Sequence, residues 1–140
     1  MSEGVAKRGM PYLDWSRTVR TLEVESHPQL KNQIQLSLNA DESLALVANL
    51  IEVFGPEGGE LRLKVSENWV LFWKRRESEN RVLLAHPDVN AWVGTIALDA
   101  ESGKRLFSAL QTLAEGQSLV LSEWVSLAKM SNLELIIRRE

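Results

Sequence analysis

Residues 81–102 read RVLLAHPDVNAWVGTIALDAES, and residues 20–43 read RTLEVESHPQLKNQIQLSLNADES. Laid over one another, each gives a strand-like segment, a His-Pro pair, a second strand-like segment and an acidic helix start. The match continues downstream. Leu38 pairs with Leu98, Leu46 with Leu106, Leu50 with Leu110 and Val53 with Leu113, all 60 positions apart, so the period survives from strand into helix. Beyond the helices, LKVSENWV at 63–70 is echoed by LVLSEWV at 119–125 with one residue deleted. A repeat of this length predicts a duplicated supersecondary unit, two copies about a pseudo-twofold axis.

Each copy reads strand, strand, helix, strand, strand. In the first, TVRTLEVE and NQIQLSLN alternate polar and apolar residues, the period of half-buried strands. Asn39 then caps a helix over 40–54, with Glu42 completing a capping box and Gly55-Pro56 ending it. Gly58-Gly59 turns the chain into ELRLKVSE, and SEN leads into WVLFWKRRE. In the second copy Asp99 is the N-cap and Ser102 its partner, the helix runs to about Ala114, and Gly116 stops it. SLVLSE and LELIIRRE complete the strands. The expected class is α+β: a duplicated β-β-α-β-β unit, antiparallel sheets with two helices packed on them. One domain over 12–140, with halves at 17–79 and 80–140, follows a flexible tail over 1–11.

Composition bounds the function. The 140 residues suit one domain, 44% hydrophobic and 25% charged, and a net charge of −3 gives no overall attraction to phosphate or anionic membranes. Any polyanion must find a local basic patch. Absence of cysteine excludes disulfides, thiolate nucleophiles, iron–sulfur clusters and sulfur-ligated zinc. The start MSEGVAKRGMPYLDW has no apolar h-region and no apolar run reaches the ~20 residues of a membrane span, so a cytoplasmic protein with no membrane partner is expected.

The two helices differ. Leu106, Phe107, Leu110 and Leu113 make one apolar stripe, as in a surface helix on a sheet. LALVANLIEVF at 44–54 is apolar almost all round. Either a loop or the N-terminal segment covers it, or it packs against its copy in a homo-oligomer through Leu44, Val47, Leu50, Ile51 and Phe54.

WVLFWKRR at 69–76 packs two tryptophans, a phenylalanine and three cations into eight residues. The turn before it decides their faces. With Glu67-Asn68 as a two-residue turn, Ser66 sits opposite Trp69, and Trp69 and Trp73 join Arg62, Lys64 and Arg75 on the outer face. With Lys74 alongside, that is a base-stacking platform flanked by cations. With a three-residue turn, Val65 sits opposite Trp69 and both tryptophans enter the core. The outer face then holds Arg62, Lys64, Val70, Phe72, Lys74 and Arg76. Asn68 is not followed by glycine, so the usual two-residue hairpin signal is missing.

The element order resembles a circular variant of the Whirly fold, and YLDWSR at 12–17 is similar to the Tyr-Asp-Trp-Ser-Arg run before a Whirly strand, with Leu13 inserted. The resemblance implies single-stranded DNA or RNA as partner, bound on a sheet. The Lys-Gly-Lys-Ala run of Whirly sheets does not occur here, so no binding residue carries over. VGTIALDAESGKRLFSALQTL followed by SLVLSE also resembles the helix-bearing part of a sliding-clamp domain, although its helices carry few cations.

Elsewhere the residues read as structure. His27 and His86 each precede proline at a strand end, which is a turn before it is a ligand. Asp41-Glu42 and Asp99-Glu101 suit helix N-termini. GPEGGE lacks the lysine and spacing of a phosphate loop, and neither GxSxG nor HExxH occurs. The expectation is a binding or assembly module without cofactor, metal or catalytic residue. The alternatives are a single-stranded nucleic-acid binder using Arg62, Lys64, Trp69, Trp73, Lys74 and Arg75, and an enzyme whose site forms between subunits.

Overall fold

The computed structural model describes residues 12–14, 19–23, 32–78, 80–88 and 90–140. The strands are β1 (Tyr12–Asp14), β2 (Val19–Glu23), β3 (Asn32–Leu38), β4 (Glu60–Ser66), β5 (Trp69–Arg75), β6 (Arg81–Asp88), β7 (Ala91–Leu98), β8 (Ser118–Val120) and β9 (Leu133–Arg139). The helices are α1 (Ala40–Val53), α2 (Ala100–Gln111) and the single turn α3 (Leu121–Trp124). The α+β class is as expected. The tail over 1–11 and His27 lie outside the described residues. No helix among the described residues is long and apolar enough to cross a membrane.

A five-stranded sheet has the order β1-β4-β5-β7-β6 and a four-stranded sheet the order β2-β3-β9-β8. Each of the hairpins β2/β3, β4/β5, β6/β7 and β8/β9 is antiparallel. The sheets are not antiparallel throughout, however: β3 pairs with β9 and β5 with β7 in parallel, and β1 adds in parallel to β4. Each sheet is thus one hairpin from each half of the chain, joined along a central parallel seam. Exchanging β2 with β6, β3 with β7, β4 with β8 and β5 with β9 turns one order into the other, β1 being extra.

Local chemistry sets these elements. The alternation in β3 buries Ile34, Leu36 and Leu38. Asn39 accepts from the Glu42 backbone and Glu42 Oε1 accepts from the Asn39 backbone, the reciprocal box that satisfies two donors at the start of α1. Asp99 caps α2 through the Ser102 N–H. Asn80 reaches the same helix start twice, accepting from the Asp99 backbone and donating to Ser102 Oγ.

The echo between LKVSENWV and LVLSEWV diverges in three dimensions. SEN carries the β4/β5 hairpin, whereas Leu121 begins α3, so SLVLSE is a strand only as far as Val120. After Val120 the chain makes an excursion before β9. That excursion covers the free edge of β6. Ser131 Oγ accepts from the Val82 N–H, the Asn132 N–H donates to Val82 O, and the Asn132 amide pairs with both N–H and C=O of Leu84. An open strand edge is thereby denied to other chains.

One apolar cluster joins the inner faces of both sheets and the helices. The sheets meet where a Cβ on Gly94 would lie 2.6 Å from Leu71 Cδ2 and 3.0 Å from Leu133 Cδ2. The helices run antiparallel, with the C-terminal Phe54 of α1 seated on Gly103 of α2, where a Cβ would lie 2.2 Å from the ring. Gly103→Ala is expected to lower stability in urea unfolding by about 1–3 kcal/mol through overpacking. Adding Phe54→Leu should recover part of that loss, whereas strict additivity of the two changes would rule out the contact.

Candidate functional site

The register of β4 against β5 combines the two turn readings. Ser66 is opposite Trp69, as a two-residue turn requires, but Lys64 is opposite Val70, Leu63 opposite Leu71 and Leu61 opposite Trp73. The register shifts between Lys64 and Ser66, so Val65 is the extra residue of a β-bulge. One residue of slip reverses every side chain downstream. Trp69 is 4% exposed and Trp73 0% exposed, packed with the core. The exposed tryptophan platform does not form. Trp73 Nε1–H is buried without a hydrogen-bond partner among the described residues, a cost of about 1–3 kcal/mol set against the burial of its indole.

The outer face of the five-stranded sheet is built in rows by the strand registers. One row is Arg62, Phe72, Thr95 and Leu83; those beside it are Lys64, Val70, Val93 and Ala85, and Glu60, Lys74, Ala97 and Arg81. The Arg62 guanidinium lies over the Phe72 ring, 5.9 Å from its centroid. Three of the six candidate nucleic-acid residues, Arg62, Lys64 and Lys74, therefore share this face. Arg75 does not: it donates to Gly55 O at the end of α1 and pairs with Glu77 at 2.9 Å, where a cation complements the helix C-terminus. Arg81 and Leu83 enter the face through the parallel β5/β7 pairing, for which the sequence carries no local signal.

The candidate oligomer face also divides. Val47, Leu50 and Phe54 are buried within the chain, so they are corrected from interface to core. Antiparallel α2 covers this face, with Phe54 against Gly103. Leu44 remains 68% and Ile51 43% exposed. With Ala48 they form a ridge at i, i+4 and i+7, flanked by exposed Asp41 and Glu52. Glu57 is exposed just beyond, and α1 contains no cation.

His86 lies near the end of β6, its ring stacked on Trp92 with centroids 3.6 Å apart and planes 7° from parallel. Trp92 in turn stacks on Trp69 at 5.5 Å and 12°. The three rings carry the core out to solvent, with His86 the exposed end. Among the described residues no group of three or more His, Asp or Glu is placed to hold a metal. The cleft between the helices, about 420 Å³, is lined by Ala40, Leu44, Val47, Leu110 and Leu113, with Ser43, Gln111 and Arg139 as its polar groups. No paired carboxylates or base-activated nucleophile converge there, so its surface is suited to contact rather than to proton transfer.

The chain matches no protein-family model, and comparison with curated proteins and with solved structures gave no match.

His86→Ala should expose Trp92 to acrylamide quenching and cost about 0.5–1.5 kcal/mol, the range of an aromatic pair. An unchanged quenching constant would sink the stacked arrangement.

Proposed function

We propose that this chain is a non-enzymatic assembly module of the cytoplasm, built from a duplicated β-β-α-β-β unit and acting by docking protein surfaces, its own copies included. The observation that carries this reading is the ridge on α1. Leu44 at 68% and Ile51 at 43% exposure face solvent on a helix whose other large apolar side chains are 0–5% exposed. Leaving two large aliphatic groups partly in water on an otherwise ordered element forfeits a fraction of the ~1.5–3 kcal/mol that full burial of each would bring. Docking recovers it. The matching strand orders of the two sheets support the duplication.

Sedimentation equilibrium over about 1–500 μM, the range of a small interface, should give a mass that rises with concentration. Leu44→Asp with Ile51→Asp should hold the chain monomeric while leaving its unfolding midpoint within a few degrees. A wild-type mass that stays at one chain throughout would dispose of the assembly reading.

A second reading rests on the cations around Phe72. We propose that the outer face of the five-stranded sheet also admits single-stranded nucleic acid, the class of ligand the Whirly resemblance implies. Binding there would be mainly electrostatic, with Phe72 as its stacking ring. Fluorescence anisotropy of a labelled oligonucleotide should show affinity falling steeply between ~50 and ~200 mM salt. Phe72→Ala should weaken it by about 1–3 kcal/mol. Absence of binding at the lower salt would eliminate this reading.

A further inference from the structure

We infer that copies of this chain associate head to tail, the acidic ridge of α1 in one copy lying on the basic outer sheet face of the next. This rests on the assembly reading and specifies its geometry. A two-fold interface brings a patch against itself. Around the α1 ridge that would set Asp41, Glu52 and, just beyond the helix, Glu57 against the same three carboxylates with no cation on the helix to offset them. Like charges across an interface are strongly disfavoured.

The outer sheet face has the complementary character. Arg62, Lys64, Lys74 and Arg81 there outnumber Glu60 and Asp14, the latter set in the Lys64 row by the β1 register, around a floor of Val70, Phe72, Val93 and Leu83. Dimensions agree as well. From Leu44 to Ile51 the ridge extends about 10 Å at the helical rise. Phe72 and Leu83 stand in one row with β7 between them, two strand spacings or about 10 Å apart. Leu44 and Ile51 laid across that row meet two apolar side chains, and the flanking carboxylates come over the cations. The ridge and the sheet face are different surfaces of the molecule, so the contact is heterologous and propagates.

Two charge-reversal variants test this. Glu52→Lys/Glu57→Lys alters the helix side, where added cations suit the helix C-terminus and spare the fold. Lys64→Glu/Lys74→Glu alters the sheet side. Each alone should associate about tenfold more weakly than wild type, or less. Mixed in equal amounts, each variant offers the other's ridge a face of opposite sign, and alternating copies should associate again without limit. All four changes in one chain should restore open-ended association. Circular dichroism and melting midpoints verify the fold of each variant. Wild-type association that Lys64→Glu/Lys74→Glu leaves unweakened, a mixture that does not associate, or a four-change chain that stays monomeric overturns the head-to-tail geometry and leaves the assembly reading standing. Wild-type chain that never associates removes both.

Discussion

Val65 is one residue more than the β4/β5 ladder needs, and the arrangement of the five-stranded sheet follows from where that residue goes. The tight turn at Glu67-Asn68 would by itself send Trp69, Leu71 and Trp73 to the solvent face. The bulge returns them to the core, with Val65 itself fully buried. Had the slip been absent, the core would exchange two tryptophans and a leucine for the smaller Val70 and Phe72 and the charged Lys74. The parallel seam with β7 then inherits this choice, since Trp69 lies opposite Trp92 and Trp73 opposite Ile96. The aromatic ladder, the basic face and the shared core are consequences of one inserted residue.

The second constraint is the antiparallel contact between the helices. Only glycine at 103 leaves room for the Phe54 ring. That contact covers most of the unusually apolar surface of α1 within the chain, so self-burial and not a partner accounts for Val47, Leu50 and Phe54. What this contact leaves in solvent is much of Leu44, at the mouth of the cleft between the helices, and of Ile51.

Much of this was legible in the chain. Period-2 alternation located β3, the turns at Gly58-Gly59 and SEN located β4 and β5, and the caps at Asn39 and Asp99 located both long helices to the residue at their starts. The strand-like runs from Arg81 and Ala91 located β6 and β7, but His86-Pro87, expected as the turn between them, lies inside β6. The parallel seams were not legible, because β3 with β9 and β5 with β7 pair across long separations that leave no local pattern. Nor was the bulge: Val65 has the same hydrophobic character in either register, and only the fit of two indoles into a closed core selects between them. The excursion over the β6 edge was the least readable part. Its hydrogen bonds come from Ser131 and Asn132, polar residues that sequence alone assigns to an ordinary loop.

Net charge is a poor guide to this surface. A value of −3 is the remainder of 16 cations and 19 carboxylates over the whole chain, and it hides two opposed patches, carboxylates along α1 and cations over the sheet. On the two readings proposed above, a phosphate backbone and an acidic protein surface would occupy the same rows around Phe72. The two proposed partners are therefore exclusive on any one copy. Binding a polyanion would remove the seat for the next α1 ridge, and adding a copy would hide the cations that a polyanion needs. Because linkage is reciprocal, whichever partner binds one copy more tightly also sets how readily the other can reach it.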